Sequence, residues 1–295
     1  MSLLSIVIIC YNQEEVICDC LNSLLLSDTR DVELVISDDC SLDNSVEVVR
    51  DWLSKNSSRF ERTYINRLEK HNGTVGNIVS GMKFVASPFV KLIAADDWFL
   101  PESIDYMRYF CKDNNFDAAF SPICIARIVN NKYVIANDYY PASDDKLFFS
   151  LSNKEQFAVM LKHNCLKAPG AFFTLNFWHK VGLAKIPVVI MEDWAMWLEG
   201  LTLESIYVLA EHPIVVYRES SRSVSSNSAN ELFKVYLRDH ITTMWTIGFK
   251  KKEWVSLVTT LRIICLSAMI KICLLMPCKY INIINKVRNI YNKRS

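Results

Sequence analysis

The chain has 295 residues, half of them apolar, which suffices for one large domain or two modest ones. Its formal charge of +1 excludes a general nucleic-acid binder, and ten cysteines without a C-x-x-C pair exclude a zinc ribbon or redox motif. Most of the cysteines sit among apolar neighbours and read as small core residues of a reduced, cytoplasmic protein.

Leu3 to Ile9 is apolar and β-branched, as a central strand is. The apolar run is only six residues long, Ile6 to Tyr11, with no basic region before it, so no signal peptide is expected. Helix spacing follows at Val16, Cys20, Leu21, Leu24 and Leu25, with Asn12 as the expected cap. Val32 to Ser37 reads as a second strand and Asp43 to Leu53 as a second helix. This alternation predicts a parallel sheet with right-handed crossovers. The first glycine is Gly73, so no glycine-rich phosphate loop follows the first strand. Dinucleotide-binding and Walker A loops are thereby excluded.

Thr63 to Asn66 is a short third strand, and His71 to Asn77 a loop entering a helix that runs to about Val85. Val90 to Ala94 makes a buried strand, and Asp96 and Asp97 stand where it ends, ahead of a helix expected from Pro101 to Lys112. Two adjacent carboxylates need a counter-charge: they suit a divalent cation holding phosphates, or one of them simply caps the helix. Asp117 to Pro122, Ile123 to Val129 and Lys132 to Ala136 are expected strands, and Asp144–Asp145 an exposed acidic loop. A helix over Asn176 to Gly182 comes next. Glu192 and Asp193 then open a helix, where acids complement the dipole, with Trp194, Trp197, Leu198 and Leu201 on its buried face. Ile206 to Leu209 and Ile214 to Tyr217 close the sheet, and the serine-rich stretch 220–228 is the best boundary.

Beyond that boundary the chain is helical in pattern and basic: from Lys250 onward it carries ten Lys or Arg and one acid. Arg262 and Lys271 interrupt the apolar segment 254–276, leaving no span long enough to cross a bilayer. Tyr280, Ile283, Ile284, Val287, Ile290 and Tyr291 form one stripe with basic residues largely off it. That pattern suits an anionic membrane surface, or a helical cap docked on the domain.

Four segments, IVIICYN, ISDDCSLDNS, AADDWFLP and MEDWAMWLEG, occur in this order, and together they resemble the family 2 glycosyltransferases of GT-A fold. The resemblance runs over roughly residues 3 to 225. It implies an α/β fold with a mainly parallel, Rossmann-like sheet: residues 1–225 as the transferase domain, 1–100 its nucleotide-sugar half and 101–225 its acceptor half, and 226–295 as a membrane-associating tail. It implies Tyr11 stacking on the nucleotide base, Asp39 bonding the base edge, Asp96 at the ribose or sugar, and Asp97 binding Mn²⁺ or Mg²⁺. Asp193 becomes the general base, with Gly170, Glu192 and Trp194 on the acceptor side. His71 to Asn77 corresponds to the segment beside the donor diphosphate, and Arg218 or Arg222 to a phosphate contact. The expected reaction is inverting transfer from a nucleotide sugar, a UDP-sugar, to a saccharide hydroxyl. The acceptor is expected to be lipid-linked, in bacterial surface-polysaccharide assembly, with the enzyme cytoplasmic and peripheral on the inner face of the membrane. The alternatives are a glycosyl hydrolase, which would not need a base-binding strand edge, and a non-catalytic partner that keeps the fold.

Overall fold

The computed structural model describes residues 2–129, 132–140, 143–162, 164–219, 231–248 and 250, with 264, 265, 267 and 268 beyond them. The first strand, β1 (Leu4–Cys10), shows why a sheet forms here. Leu4, Ile6, Ile8 and Cys10 face one core and Val7 the other, the period-two alternation of a strand buried on both faces. Five elements follow in alternation: α1 (Ile17–Leu24), β2 (Val32–Asp38), α2 (Ser45–Asn56), β3 (Arg62–Arg67) and α3 (Gly73–Gly81). β4 (Phe89–Ala94) returns to the centre, beside β1.

After β4 come β5 (Trp98–Phe99), α4 (Ser103–Asp113), β6 (Ala118–Phe120), β7 (Ile123–Val129), β8 (Lys132–Tyr140) and α5 (Asn153–Lys162). β9 (Ala171–Thr174), α6 (Leu175–Val181), α7 (Glu192–Thr202), β10 (Tyr207–Leu209), β11 (Val215–Arg218) and α8 (Glu231–Thr246) complete the described chain. The main sheet runs β10-β6-β9-β4-β1-β2-β3, and a second sheet runs β5-β11-β7-β8. β4, β1, β2 and β3 are parallel neighbours. Helices α1, α2 and α4 cover one face through Ile17, Leu21, Val49, Trp52, Ile104 and Met107. Helices α3, α5, α6 and α7 cover the other through Ile78, Phe157, Phe177 and Trp197. The α/β expectation with a mainly parallel sheet holds.

Several local expectations do not. Asn12 caps no helix: it takes a left-handed φ of 53°, and its Oδ1 accepts the Leu42 N–H at 2.8 Å, closing the neighbouring turn. Neither Asp96 nor Asp97 caps α4. Trp98 and Phe99 pair with Val216 and Val215 first, and Glu102, at φ 60°, delays the helix to Ser103. The sheet is not parallel throughout, because β9 enters antiparallel between β4 and β6. Asp144–Asp145 falls in a 3₁₀ helix, Ser143–Ser150, which Phe148 anchors by burying its ring in the core. Helix α5 lies where the sequence pattern marked nothing, in a polar stretch that buries only Gln156, Phe157, Met160 and Leu161.

Past the expected boundary at 225, α8 packs on the domain, with Leu237 and Met244 buried. The apolar segment 254–276 and the basic stripe 280–291 lie almost wholly outside the described residues. Among the described residues, no helix is long and apolar enough to cross a membrane.

Candidate active site

Parallel pairing decides where the polar strand ends meet. Cys10 sits opposite Asp38 and Ile9 opposite Ala94, so Tyr11, Asp39 and the Asp96–Asp97 turn leave the sheet at one carboxyl edge. Open α/β sheets bind ligands at such an edge. Asp38 serves the turn itself, its Oδ1 accepting the Ser41 N–H at 3.0 Å. Asp39 faces the other way. Its Oδ1 accepts the Asn72 N–H at 2.8 Å, and its Oδ2 pairs with His71 Nδ1 at 2.8 Å. His71 also stacks on Tyr11, ring centroids 4.2 Å apart. Tyr11 is 38 % exposed and stacks on the exposed His71 ring, while the Asp39 carboxylate lies buried beneath His71. Asn77, the last residue of the diphosphate-side segment, donates to the Cys10 and Ser37 carbonyls at 3.2 and 3.0 Å. It ties α3 to the strand ends.

The Asp96–Asp97 turn is clamped from within by Arg218. The Arg218 N–H donates to Asp97 Oδ1 at 2.9 Å, and its Nε donates to the Asp96 carbonyl at 2.7 Å. Nη2 reaches Asp19 Oδ2 at 2.6 Å. The guanidinium lies between Trp98 and Tyr133, 4.7 and 4.4 Å from their ring centroids. Asp97 is 1 % exposed, whereas Asp96 is half-buried. Burial pushes Asp97 well above the usual carboxylate range, and the charge of Asp96 adds to it. Burial likewise raises Asp96. Two hard-oxygen groups that resist ionisation together are what a divalent cation would relieve. Among the described residues no three His, Cys, Asp or Glu side chains gather as a complete metal cage. The pair therefore fits a cation that takes its remaining ligands from substrate phosphates and water.

The loop before β9 is fixed by a lysine that the strand pattern concealed. Lys91, in the middle of β4 and fully buried, donates to the Pro169 and Ala171 carbonyls. Burial pushes its ammonium down to about 7. Gly170 sits between those carbonyls, where a Cβ would lie 2.2 Å from the Ser121 carbonyl oxygen, so only glycine fits.

At the start of α7 the two adjacent acids differ. The Asn164 side-chain amide donates to Asp193 Oδ2 at 2.8 Å, and the Trp194 N–H donates to Oδ1 at 2.6 Å. Glu192 Oε2 is buried with no hydrogen-bond partner. Burial, and then the Asp193 charge, push Glu192 up to about 8. Asp193 is also raised by burial, but both hydrogen bonds favour its ionised form. Burial thus raises both carboxyls, and that of Asp193 accepts hydrogen bonds at both oxygens, which oppose the rise, while Glu192 Oε2 accepts none. Trp194 does not face a ligand: it is 1 % exposed, donates its indole N–H to the Met160 carbonyl at 2.7 Å and stacks on His240.

The Asp39 and Glu192–Asp193 ends of the site are joined. The Val75 N–H donates to the Val189 carbonyl at 3.2 Å, which connects the turn held by Asp39 to the segment leading into Glu192. Arg222 lies outside the described residues. Lys91, Asn164 and the clamping geometry of Arg218 were not read from the sequence. A lone lysine inside an apolar central strand was the one available signal, since burying an ammonium there demands carbonyl partners.

Three comparisons bear on this arrangement. Residues 5–176 match the family described as Glycosyl transferase family 2. An Escherichia coli enzyme, UDP-Glc:alpha-D-GlcNAc-diphosphoundecaprenol beta-1,3-glucosyltransferase WfaP, is 23% identical over 239 residues, which cover 79% of this chain and 84% of that one. The crystal structure of Staphylococcus aureus TarS 1–349 in complex with UDP-GlcNAc superposes with a TM-score of 0.60 at 18% identity, covering 86% of this chain and 69% of that one. The mannosyltransferase PcManGT from Pyrobaculum calidifontis, in complex with GDP-Man and Mn²⁺, gives 0.60 at 13% identity, covering 91% of this chain and 69% of that one. With the family matched over more than half of its length and the GT-A fold shared with these structures, the chain belongs to glycosyl transferase family 2 and is a glycosyltransferase.

Proposed function

We propose that the enzyme transfers a sugar with inversion from a nucleotide-sugar donor, a UDP-sugar, to a hydroxyl of a lipid-linked saccharide in surface-polysaccharide assembly. The observation that carries this reading is the division of labour at the start of α7. Asp193 accepts hydrogen bonds at both oxygens, from Asn164 and the Trp194 N–H, which favour its anion, while Glu192 Oε2 has no partner. A single carboxylate is then available to take the proton of the attacking hydroxyl. In-line attack of that oxygen on the anomeric carbon breaks the bond to the diphosphate and inverts the centre, so an α-linked donor gives a β-linked product.

Tyr11 offers a face to the base and Asp39 an acceptor for its edge, once His71 yields or shifts. Asp97 would hold Mn²⁺ or Mg²⁺, with the more accessible Asp96 toward the ribose or sugar, and the cation would offset charge on the departing diphosphate. Gly170 and its loop, fastened by Lys91, border the acceptor. The lipid-linked acceptor is supported by the diphosphoundecaprenol substrate in the name of the E. coli relative. Placement at the inner face of the cell membrane is supported by the basic tail, which suits an anionic surface.

A thermal-shift screen of nucleotide sugars with and without Mn²⁺ tests the donor, because a ligand of the folded state raises its stability by mass action. The expected result is a shift with one or more UDP-sugars that grows with Mn²⁺. Transfer by the responding donor to a saccharide diphosphate lipid, with the anomeric configuration of the product read by NMR, tests the rest. An α-linked product, or hydrolysis indifferent to added acceptor, would overturn the reading.

A further inference from the structure

We infer that Asp239, on α8, is a positioning residue for the reaction, holding the segment that aims the Glu192–Asp193 pair and ties it to the donor-side turn. The inference rests on the reading of Asp193 as the base.

The segment Val189–Met191 has no regular structure and lies between two helices. At one end the Val189 carbonyl accepts the Val75 N–H of α3 at 3.2 Å. Its side chain lies against Gly73, where a Cβ would come within 3.3 Å of Val189 Cγ1. At the other end the Met191 carbonyl accepts the Ala195 N–H at 3.3 Å, which closes the first turn of α7. Between these ends, three consecutive backbone N–H groups point at one atom. Val189, Ile190 and Met191 donate to Asp239 Oδ2 at 2.8, 2.7 and 3.2 Å.

Successive amides that converge on an anion make a nest, and each bond to a charged acceptor is stronger than a neutral one. Asp239 is 1 % exposed, so water cannot take its place readily. The next residue, His240, stacks on Trp194 at 4.5 Å, so α8 grips both the backbone before the pair and the side chain after it. After burial and Asp193, the Asp239 charge also contributes to keeping the proton on Glu192. Asp239 thus acts through the backbone. It fixes the direction in which α7 starts, and through Val75 and the Asn72 N–H on Asp39 the same segment reaches the surface under Tyr11.

The test uses the full chain and UDP release from UDP-glucose and UDP-N-acetylglucosamine, with water or an added saccharide as acceptor. Asp239→Asn keeps an acceptor oxygen but loses the charge. It should lower kcat about 10- to 100-fold, as a small misplacement of a reacting group does, while the Kd for UDP changes less than about two-fold. Asp193→Asn alone should lose more, and the double variant should lose no more than Asp193→Asn, because the two act as one unit. Lys250→Ala removes a different tail contact to α7, the pair of Lys250 Nζ with Glu199 Oε1 at 2.6 Å, and should leave kcat unchanged. Amide exchange at Val189, Ile190 and Met191 should accelerate only in the Asp239 variant. If Asp239→Asn does not fold, Asp239→Glu, which keeps the charge and displaces the oxygen, carries the same comparison.

Near-normal kcat in the Asp239 variants beside an inactive Asp193→Asn would overturn the inference. So would losses that multiply in the double variant, or an equal loss in Lys250→Ala. Near-normal turnover by Asp193→Asn would instead overturn the base assignment itself.

Discussion

The side-chain amide of Asn164 reaches Asp193 Oδ2 at 2.8 Å, from the loop just after α5 to the first turn of α7. The bond favours the Asp193 anion against the effect of burial. Removing it in Asn164→Ala should therefore raise the carboxyl's pKa and move the acid limb of the kcat/KM profile to higher pH, with the plateau little changed. A profile identical to the parent's would show that Asn164 does not tune the base.

On the proposed reading of Asp193 as the base, its own loss is larger. Asp193→Asn should lower kcat about 10²- to 10⁴-fold with donor binding nearly unchanged, because the proton moves only in the transition state. Glu192→Gln keeps the shape of a group already protonated near neutral pH, and should cost less. The ratio of the two losses, measured on one donor and acceptor, decides which acid is the base.

Glu192 also makes stability depend on pH. Its carboxyl is raised from 4.5 to about 8 on folding, so between those values the folded state holds a proton that the unfolded chain has lost. This contribution is complete below about 4.5 and disappears as pH rises through 8. Glu192→Gln should therefore gain stability relative to the parent as pH rises across that window, by several kcal/mol at pH 9. Chemical denaturation at pH 5 and pH 9 measures it, and a difference independent of pH would contradict the assigned burial.

The acidic turn gives a metal test. Asp96→Asn and Asp97→Asn should each weaken UDP binding in Mn²⁺, and chelator should reproduce the effect in the parent. Asp97→Asn keeps an oxygen for the Arg218 N–H, so its fold should survive. Equal activity in chelator and in Mn²⁺ would remove the cation from the reaction.

Arg218→Met should be the most destabilising of the single changes near the site. It leaves Trp98 and Tyr133 without the cation between them and the Asp96 carbonyl without its Nε donor. Leaving a buried acceptor unpaired costs about 1–3 kcal/mol, and the lost packing between the rings adds to it. Arg218→Lys should recover only part, since an ammonium cannot both reach the Asp96 carbonyl and fill the gap between two rings. The unfolding midpoint in denaturant reads this directly.

Deletion of residues 254–295 should move the protein from membrane to soluble fractions and abolish binding to anionic vesicles, with the parent's binding weakening as salt rises. Unchanged vesicle binding by the shortened chain would place the contact elsewhere.

What the sequence revealed and what it hid follow the range of the interactions. The Rossmann-like half was legible because its strands and helices carry their own periodicity, and parallel order alone brings Tyr11, Asp39 and the Asp96–Asp97 turn to one edge. Asp96 looked like a cap because capping is local, whereas the partner that delays α4 is β11, more than a hundred residues away. Helix spacing put Trp194 on the buried face of α7 while the resemblance put it on the acceptor side; its burial and its stacking on His240, from α8, agree with the spacing. The antiparallel entry of β9 had no local sign, because a four-residue apolar strand reads alike in both directions.

That reversed strand has a mechanical consequence. Among the described residues of the main sheet, β6 and β10 connect to the parallel strands β4, β1, β2 and β3 only through β9, which meets β4 at Phe89–Thr174 and Val90–Phe173 and β6 at Ala118, Ala119 and Phe120. It is a seam: pulled apart from its two ends, the sheet should part there before the long parallel ladders of β1, β2 and β4 yield. Gly170 begins that seam, so a saccharide bound against its loop would press on the joint between the two halves of the sheet. Acceptor engagement should then be felt as a stiffening of β9, while the donor strands stay as they were.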